Sequence, residues 1–282
     1  MSIYIVHMDQ QRTDKMKKLA VLLSYIIFIT GCFIFKVDVQ RHNISNKILD
    51  KNELIERIDD TTVVLTQPVD DERHAAYCTG VWIDKGVILT AYHCVEAGAL
   101  TEVEMFITEM FGIVIDEKTL INRELTFATN QQSVDTRRYR MVRSSAINVG
   151  NIIAVNRNSD LALVRANVDT AYITTRLSKK RIRRGDRLYV TGHTAGLPYT
   201  YSEVLIANER IMTTVDGNKP VKVLQLSGPV WRGNSGGGAF DEHGKLMGIC
   251  SFLIRGTSNI TFFIHRDEIS KFMRDNEPAI SL

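Results

Sequence analysis

The sequence predicts an all-β fold made of two antiparallel β-barrels and a short C-terminal helix. Short runs rich in Val, Ile, Thr, Tyr and Phe recur along the chain, and Gly, Asn and Asp separate them, which is typical of a strand-rich protein. Glycine is plentiful, with 18 residues, and proline is scarce, with 5. Closing such strands into barrels removes the exposed sheet edges that would otherwise pair with other chains.

The composition is that of an ordinary folded protein. Of the 282 residues, 44% are hydrophobic and 24% are charged, so a packed core is expected. This length accommodates one large domain or two small ones, together with a tail or an anchor. The formal net charge of +3 is too small to indicate a polyanionic partner, and no nucleic acid is expected to bind.

Residues 1–36 are predicted to form a signal peptide or a membrane anchor. No charged residue lies between positions 19 and 35, and Lys15, Lys17 and Lys18 come just before this stretch. A basic segment followed by an apolar one is the layout of an export signal. The apolar stretch is at the lower limit for spanning a bilayer, so its length fits both a cleaved signal and a retained anchor. Either way the lysines stay on the cytoplasmic side, and the rest of the chain faces the periplasm or the extracellular side.

The end of this segment, Ile29-Thr30-Gly31-Cys32, resembles the lipobox of bacterial lipoproteins. In that motif a branched apolar residue, a small residue and a glycine precede the cysteine that is acylated. Two alternatives follow: a lipoprotein lipidated at Cys32, or an uncleaved anchor in which Cys32 is an ordinary membrane-embedded cysteine. In both, the chain is exported and tethered to the membrane through its N-terminal segment.

The remainder divides into three parts. Residues 37–60 are predicted to be a partly helical spacer, 61–170 the first barrel, and 171–282 the second barrel with the C-terminal helix. The spacer has isoleucines at helical spacing, namely Ile44, Ile48, Ile55 and Ile58. Strands of the first barrel are expected at 61–66, 77–84, 86–91, 102–106, 141–142, 151–156 and 161–165. Strands of the second are expected at 187–192, 201–208, 222–226, 238–240, 245–254 and 259–265. The final helix is expected over 267–275, with Asp267 as its N-cap.

Two of the four cysteines flank a hairpin predicted over 77–84 and 87–95. Cys78 and Cys94 would face one another across its paired strands. They would form either a disulfide, which requires an oxidising compartment, or two buried thiols. Cys250, inside an apolar run, is expected to be a packed core residue.

Three polar residues in distinctive local sequences indicate nucleophilic catalysis. They occur in Ala91-Tyr92-His93-Cys94, in Ser159-Asp160-Leu161-Ala162-Leu163 and in Gly233-Asn234-Ser235-Gly236-Gly237-Gly238. A serine hydroxyl is a weak nucleophile at neutral pH, so it needs an imidazole to take its proton and a carboxylate to orient that imidazole. The order histidine, aspartate, serine along the chain predicts a serine-dependent acyl-transfer enzyme.

These motifs, with two further segments, carry a family resemblance. The further segments are Arg184-Gly185-Asp186-Arg187-Leu188-Tyr189-Val190-Thr191-Gly192 and Gly244-Lys245-Leu246-Met247-Gly248-Ile249. From about Thr61 to Asp275 the chain resembles a trypsin-like (chymotrypsin-fold) serine protease. Its second half is most similar to the high-temperature-requirement, or Deg-type, bacterial proteases. The resemblance implies two six-stranded antiparallel barrels and the hydrolysis of peptide bonds through an acyl-enzyme intermediate.

The resemblance also implies roles for individual residues. Ser235 is the nucleophile, His93 is the general base and then the general acid, and Asp160 is the orienting carboxylate. The N–H groups of Gly233 and Ser235 form the oxyanion hole. A disulfide beside the catalytic histidine joins two cysteines in the family, and it corresponds here to Cys78 and Cys94.

Five uncharged residues match the primary specificity pocket of the family: Val230, Ser251, Phe252, Leu253 and Thr261. Without a charge there, a preference for small or medium apolar residues is expected. Protein or peptide substrates are the implied partners. No cofactor and no metal site is expected, because paired His and Cys ligands at useful spacing are missing from the sequence. The sequence does not predict an oligomeric state.

Two departures from the family pattern are informative. Asn234 stands before the serine, where members activated by cleavage carry an aspartate that pairs with a new N-terminus. We therefore expect no activation by such cleavage. No sequence follows Leu282 for the peptide-binding PDZ domain that Deg-type proteases often carry, so substrate capture is expected to differ from that group.

Two alternatives remain at the level of sequence. The segment 233–237 also fits the Gly-x-Ser-x-Gly elbow of an α/β-hydrolase esterase, although that fold needs its aspartate and histidine after the serine. The second alternative is a catalytically idle, protease-like module of the cell envelope that binds peptides or partner proteins.

Overall fold

The structure is a computed structural model, and it describes residues 48–71, 73–100, 104, 110, 115–129, 141–143, 147–166, 168, 173–215, 217–254 and 259–281. From Leu49 onward the chain forms one compact unit. The predictions for residues 1–36, including the one for Cys32, lie outside the described residues. So do residues 37–47 of the spacer and most of the strand predicted at 102–106.

Three helices and seven strands make up the described part of the first half of this unit. The helices are α1 (Lys51–Asp60), α2 (Tyr92–Ala99) and α3 (Glu117–Leu120). The strands are β1 (Thr62–Asp70), β2 (Arg73–Asp84), β3 (Val87–Thr90), β4 (Glu124–Ala128), β5 (Met141–Arg143), β6 (Asn148–Asn156) and β7 (Leu161–Ala166). Six of them run antiparallel in the order β1-β4-β6-β7-β3-β2, and pairing of β1 with β2 closes the barrel. The short strand β5 pairs with the opposite edge of β2, at its beginning.

The second half forms another closed barrel. Its strands are β8 (Arg187–Gly192), β9 (Thr200–Thr213), β10 (Pro220–Ser227), β11 (Gly238–Phe240), β12 (Leu246–Leu253) and β13 (Ile260–His265), and the helices α4 (Arg266–Asp275) and α5 (Glu277–Ile280) follow. The ring order is β10-β13-β12-β11-β8-β9, and every pairing is antiparallel. The predicted fold class is confirmed: two closed six-stranded antiparallel barrels with a C-terminal helix. This architecture contradicts the α/β-hydrolase alternative, which needs a mostly parallel sheet covered by helices.

Some of the strands are continuous apolar runs because both of their faces are buried. In β1, Val63 and Leu65 point into the core of the first barrel, and Val64 packs into a separate cluster with Val142 of β5. All three consecutive β1 residues are fully buried. A strand buried on both sides has no polar alternation, which is why such runs identify a strand less clearly than an alternating pattern does.

A large apolar cluster joins the two barrels and both flanking helices. It contains residues of β2, β3 and β7 from the first barrel, residues of β10 to β13 from the second, and the buried faces of α1 and α4. The helical members of this cluster are Leu54, Ile58, Ile269 and Phe272. Both helices therefore pack against the apolar interface between the barrels.

Helix α1 has a complete capping box. The Asp50 side chain accepts from the N–H of Glu53 at 2.9 Å, and the Glu53 carboxylate accepts from the N–H of Asp50 at 3.2 Å. Of the predicted isoleucine stripe, Ile58 is fully buried, whereas Ile48 precedes the helix and is 68% exposed. The other buried residue of the helix is Leu54. The spacing of isoleucines alone missed Leu54.

Two other expectations differ from the structure. Strand β4, with the sequence Glu124-Leu125-Thr126-Phe127-Ala128, was not predicted. Its only large apolar residues are Leu125 and Phe127, both of which are buried in the core of the first barrel. The N-cap of α4 is His265 and not Asp267: the His265 Nδ1 accepts from the Asp267 N–H at 3.0 Å. The helix begins directly at the end of β13, so the last residue of the strand becomes the cap.

Candidate active site

His93 lies near the start of α2, just after β3 ends. Ala91 is extended and begins the helix, so His93 is the second helical residue. The following residue, Cys94, forms a disulfide with Cys78 of β2, with the two Cα atoms 6.0 Å apart. The predicted disulfide is confirmed, but the predicted hairpin over 87–95 is wrong from position 91 onward. The bond joins a helix to a strand and fixes the helical turn that carries His93.

Asp160 lies in the tight turn between β6 and β7, and its backbone is left-handed, with φ of 51°. Aspartate tolerates this conformation better than most residues, although it still costs free energy. The side chain is almost fully buried. The two carboxylate oxygens are each 3.0 Å from His93 Nδ1, and one of them also accepts from the His93 backbone N–H at 3.0 Å. The hydroxyl of Ser251 donates to the other oxygen.

The Asp160 carboxylate is therefore surrounded by donors that stabilise its negative charge. A hydrogen bond at His93 Nδ1 assigns the proton of the neutral imidazole to that nitrogen. The lone pair then belongs to Nε2, which becomes the atom able to accept a proton. Nearby, the buried thiol of Cys250 has a raised pKa because of desolvation and the charge of Asp160, so it is an unreactive core residue as predicted.

Ser235 lies on a glycine-rich loop that is held by main-chain hydrogen bonds to both barrels. The Ser235 carbonyl accepts from the Thr79 N–H of β2 at 2.8 Å. The Gly236 N–H donates to the Cys250 carbonyl of β12 at 2.8 Å, and the Cys250 N–H donates to the Gly237 carbonyl at 2.8 Å. The loop thus bridges the barrel that carries His93 and Asp160 and the barrel to which Ser235 belongs.

Only glycine fits at position 236. Its φ is 79°, and an added Cβ would lie 2.1 Å from Thr90 Oγ1 and 2.2 Å from the Thr79 carbonyl oxygen. Thr90 is three positions before His93. The Ser235 loop therefore packs directly against the chain segment that leads into the candidate histidine.

The same loop also approaches Asp160. Cys250, which exchanges hydrogen bonds with residues 236 and 237, is followed by Ser251, whose hydroxyl donates to Asp160. His93 and Asp160 are in direct contact. The main chain next to Ser235 is hydrogen-bonded to Cys250, the residue before Ser251, and packs against Thr90, three residues before His93. Of the three candidate residues, the first two are linked by their side chains and the third by its backbone.

The candidate oxyanion residue Gly233 has φ of 97°, and an added Cβ would lie 2.1 Å from the His193 carbonyl oxygen. Its carbonyl accepts from the Thr79 hydroxyl at 2.7 Å. Next to it, the buried amide of Asn234 donates to Thr194 Oγ1 at 2.7 Å and to the Trp231 carbonyl at 3.0 Å. A carboxylate in place of this amide has no N–H to donate, so asparagine is adapted to the contacts that it makes.

Of the five residues assigned to a specificity pocket, three lie on β12, one on β13, and Val230 lies between β10 and the Ser235 loop. Val230 is buried in the core of the second barrel. Phe252 stacks on Phe262, with ring centroids 4.8 Å apart. Leu253 and Thr261 are opposite one another in the β12–β13 pair. Ser251 is different, because its hydroxyl is bound to Asp160.

Two contributors to the site were missed at the level of sequence, and a third, Ser251, was assigned only to the specificity pocket. Thr79 holds the carbonyls of both Gly233 and Ser235, Thr194 binds Asn234, and Ser251 binds Asp160. None of them stands in a motif, and a hydroxyl in a strand or loop is too common to signal such a role.

Cys78, His93 and Cys94 bring three possible metal-ligand atoms within 4.8 Å of one another. Both sulfurs belong to the disulfide. A disulfide sulfur is not a thiolate and does not serve as a zinc ligand. This cluster is therefore part of the structural support of His93 rather than a metal centre.

The fold and the His93–Asp160 pair define the class of the protein as a two-barrel protein of the chymotrypsin type. A family model described as "Trypsin-like peptidase domain" matches residues 78–249, which is more than half of the chain. The chain belongs to the trypsin-like peptidase family.

Relatives of this chain include bacterial proteases of the HtrA group. A "Serine protease HtrA-like" protein of Staphylococcus epidermidis is 28% identical over 140 residues, covering 45% of this chain and 24% of the relative. Its counterpart in Staphylococcus aureus is 24% identical over 168 residues, covering 55% and 20%. The chain thus spans a quarter or less of the length of these curated relatives.

Solved structures support the same fold. The Rv3671c protease from M. tuberculosis, in its active form, superposes with a TM-score of 0.57 at 13% identity, over 82% of this chain and 86% of that one. The HtrA-type protease AlgW, solved with a tripeptide, gives 0.56 at 16% identity, over 79% and 62%. At these identities the likeness concerns the fold alone.

Proposed function

We propose that this chain is a serine endopeptidase that hydrolyses peptide bonds with His93, Asp160 and Ser235 as its catalytic residues. The observation that carries the proposal is the double contact of His93 Nδ1 with the buried Asp160 carboxylate, at 3.0 Å to each oxygen. This contact fixes the imidazole in the tautomer that a general base requires at Nε2. Membership of the trypsin-like peptidase family supports the same assignment.

In the proposed acylation step, His93 Nε2 takes the proton of the Ser235 hydroxyl while Oγ bonds to the substrate carbonyl carbon. The carbonyl oxygen becomes an oxyanion, which accepts hydrogen bonds from the N–H groups of Gly233 and Ser235. His93 then gives its proton to the leaving nitrogen, and the C–N bond breaks. The Asp160 carboxylate stays ionised throughout and stabilises the imidazolium.

Deacylation repeats the sequence with water. His93 Nε2 takes a proton from a water molecule, whose oxygen bonds to the acyl carbon. The bond between that carbon and Ser235 Oγ breaks, and the proton returns from His93 to the serine oxygen. One peptide bond and one water are consumed, and the enzyme is restored.

Labelling with a fluorophosphonate probe tests this proposal. The parent protein should label, and Ser235→Ala should not; peptide turnover by that variant should fall about a millionfold, as for loss of the serine in a comparable triad. Ser270→Ala, which removes a hydroxyl from α4, is the matched control and should label like the parent. A folded parent that never labels would instead favour the idle binding module.

We further propose that the primary specificity pocket, made of residues 230, 251, 252, 253 and 261, selects small or medium apolar side chains before the cleaved bond. Two observations support this proposal. None of these residues is charged, and the stacked rings of Phe252 and Phe262 leave less room for a large substrate side chain. A peptide library cleaved by the parent should show apolar residues at that position. Dominance of basic or acidic residues would contradict the assignment.

Export and tethering by residues 1–36 belong to the same proposal. The Cys78–Cys94 disulfide supports an oxidising location, because such bonds persist outside the reducing cytosol. If Cys32 is lipidated, cells fed a labelled fatty acid should incorporate it into the parent chain and not into Cys32→Ser. Equal labelling of the two would remove the lipoprotein alternative.

A further inference from the structure

The loop between β8 and β9, residues 193–199, has an unusual density of left-handed backbone. The φ angles are 54° at Ala195, 79° at Gly196 and 56° at Tyr199. For an alanine or a tyrosine this conformation is unfavourable, and it persists only when surrounding contacts enforce it. The contacts of this loop identify the segments that hold it in this conformation.

One side of the loop is bound to the segment 232–234 of the candidate oxyanion loop. The Ala195 N–H donates to the Arg232 carbonyl at 2.7 Å, and the Thr194 hydroxyl accepts from the Asn234 amide at 2.7 Å. The His193 carbonyl lies where a Cβ on Gly233 would be, at 2.1 Å. Three consecutive oxyanion-loop residues are therefore shaped by contact with three consecutive residues of this loop.

His193 anchors the loop to the first barrel. It is completely buried; its Nε2 donates to the Val63 carbonyl at 3.2 Å, and its Nδ1 accepts from the Tyr199 N–H at 3.3 Å. Burial lowers the pKa of His193 to about 4, so the ring is neutral at physiological pH. The Tyr199 ring meets it edge to face, with centroids 5.4 Å apart. Both ends of the loop are thus fixed by one neutral imidazole.

Helix α1 contacts the two strands from which the loop extends. Asp59, at the end of α1, accepts from the Thr191 hydroxyl of β8 at 2.7 Å. Lys51, at the start of α1, pairs with Glu203 of β9 at 2.8 Å. Burial raises the pKa of the Tyr199 hydroxyl, and the negative charges of Asp59 and Asp60 raise it further. Helix α1 is therefore bound to both strands from which the loop extends, and on the β8 side the contact lies two residues before His193.

We propose that α1 positions the oxyanion loop through the 193–199 loop, with Asp59, Thr194 and Tyr199 as positioning residues. This inference rests on the proposed function, because the loop that it positions is the candidate oxyanion hole. It also suggests why Asn234 suffices where a carboxylate would pair with a new N-terminus. The segment before β1 is already folded as a helix against the second barrel, and Thr194 supplies the partner for the residue before the serine.

The intrinsic fluorescence of Trp231 tests the linkage without depending on activity. The chain has two tryptophans, and Trp82 is fully buried in the first barrel, whereas Trp231 is 45% exposed and adjoins Arg232. Acrylamide quenching of the full chain should rise in Asp59→Ala and in Thr194→Val. The matched rescue variants are Asp59→Asn, which keeps an oxygen acceptor for Thr191, and Thr194→Ser, which keeps the hydroxyl for Asn234. In a Trp231→Phe background the same substitutions should leave quenching unchanged.

Kinetics provides the second measurement. In Asp59→Ala and Thr194→Val, kcat should fall about tenfold with KM little changed, a fraction of the loss caused by removing a whole oxyanion donor. The rescue variants should stay within about twofold of the parent. Unchanged quenching and unchanged kcat in both disruptive variants, with circular dichroism showing a native fold, would overturn the proposal while leaving the proposed function intact. If the parent is inactive but quenching responds as expected, the linkage is supported and the proposed function fails.

Discussion

The two barrels place their candidate catalytic residues by different physical means. In the first barrel, His93 and Asp160 are joined directly by side-chain hydrogen bonds, and a disulfide fixes the residue after the histidine. In the second barrel, main-chain hydrogen bonds fix the position of Ser235. Its carbonyl accepts from the Thr79 N–H of the first barrel, and the next two residues exchange hydrogen bonds with Cys250 of the second. Neighbouring glycines allow the main chain to approach both barrels. One half of the site depends on side-chain chemistry and the other on the path of the backbone.

This difference predicts which substitutions alter chemistry and which alter shape. With the proposed catalytic roles, we expect that replacing a side chain of the His93–Asp160 pair changes proton transfer more than it changes the fold. Adding a Cβ at Gly236 would instead force atoms of Thr90 and Thr79 apart. The two halves should therefore fail in distinguishable ways when each is perturbed.

The largest effect is expected for Asp160→Asn. The replacement keeps the size of the side chain but places an amide where His93 Nδ1 now donates to a carboxylate, which favours the wrong tautomer of the imidazole. We expect kcat to fall about ten-thousandfold, as for the same change in a comparable triad, with KM little altered. Steady-state hydrolysis of a peptide substrate measures this loss.

Asp241→Asn is the matched control in the second barrel. Asp241 is also buried, and it also accepts a serine hydroxyl, that of Ser178, together with the N–H groups of His243 and Lys245. Its replacement should lower the free energy of unfolding and leave kcat near the parent value. Equal losses of kcat in the two variants would mean that Asp160 acts only as a buried structural carboxylate.

The comparison also shows what could be predicted from the sequence. His93, Asp160 and Ser235 stand in local motifs, and the contact between the first two agrees with the role predicted for them. Short runs of Val, Ile, Thr, Tyr and Phe separated by Gly, Asn and Asp predicted most of the strands. Both depend on residues close together in the sequence, where spacing carries the information.

The rest depends on contacts between distant segments. Cys94 was placed in the second strand of the hairpin predicted over 77–84 and 87–95. The chain instead turns into a helix at Tyr92. Thr79 and Ser251 acquire their roles from residues more than 90 positions away, so no local pattern could identify them. The contact of α1 with the second barrel is equally remote in sequence.

A smaller effect, on stability, is expected from the disulfide of the first barrel. Reducing the Cys78–Cys94 disulfide, which closes a loop with a sequence separation of 16, should lower the free energy of unfolding by about 3 kcal/mol. Urea unfolding with and without a reductant measures the difference. The double variant Cys78→Ser/Cys94→Ser should show the lower stability in both conditions. A reductant effect that persists in this variant would have another origin and would contradict the assignment.

The smallest effect is expected from His193, which joins the barrels through a neutral imidazole. Its pKa is lowered from 6.5 to about 4 in the folded protein by burial. Between these values the unfolded chain binds a proton that the folded chain does not, so stability falls as the pH drops. From pH 7 to pH 5 the loss should be about 2 kcal/mol, and above pH 7 this group should contribute no further change.

The variant His193→Gln isolates that contribution, because glutamine donates to the Val63 carbonyl and accepts from the Tyr199 N–H but does not titrate. His74 and His265 also have lowered pKa values, and their shares of the pH dependence remain in both proteins. The free energy of unfolding, measured by urea at each pH, should therefore decline less steeply in the variant. Identical slopes would mean that His193 gains a proton without unfolding the loop. The hydrogen bond from His193 to the Val63 carbonyl, which connects the two barrels, would then not require a neutral ring.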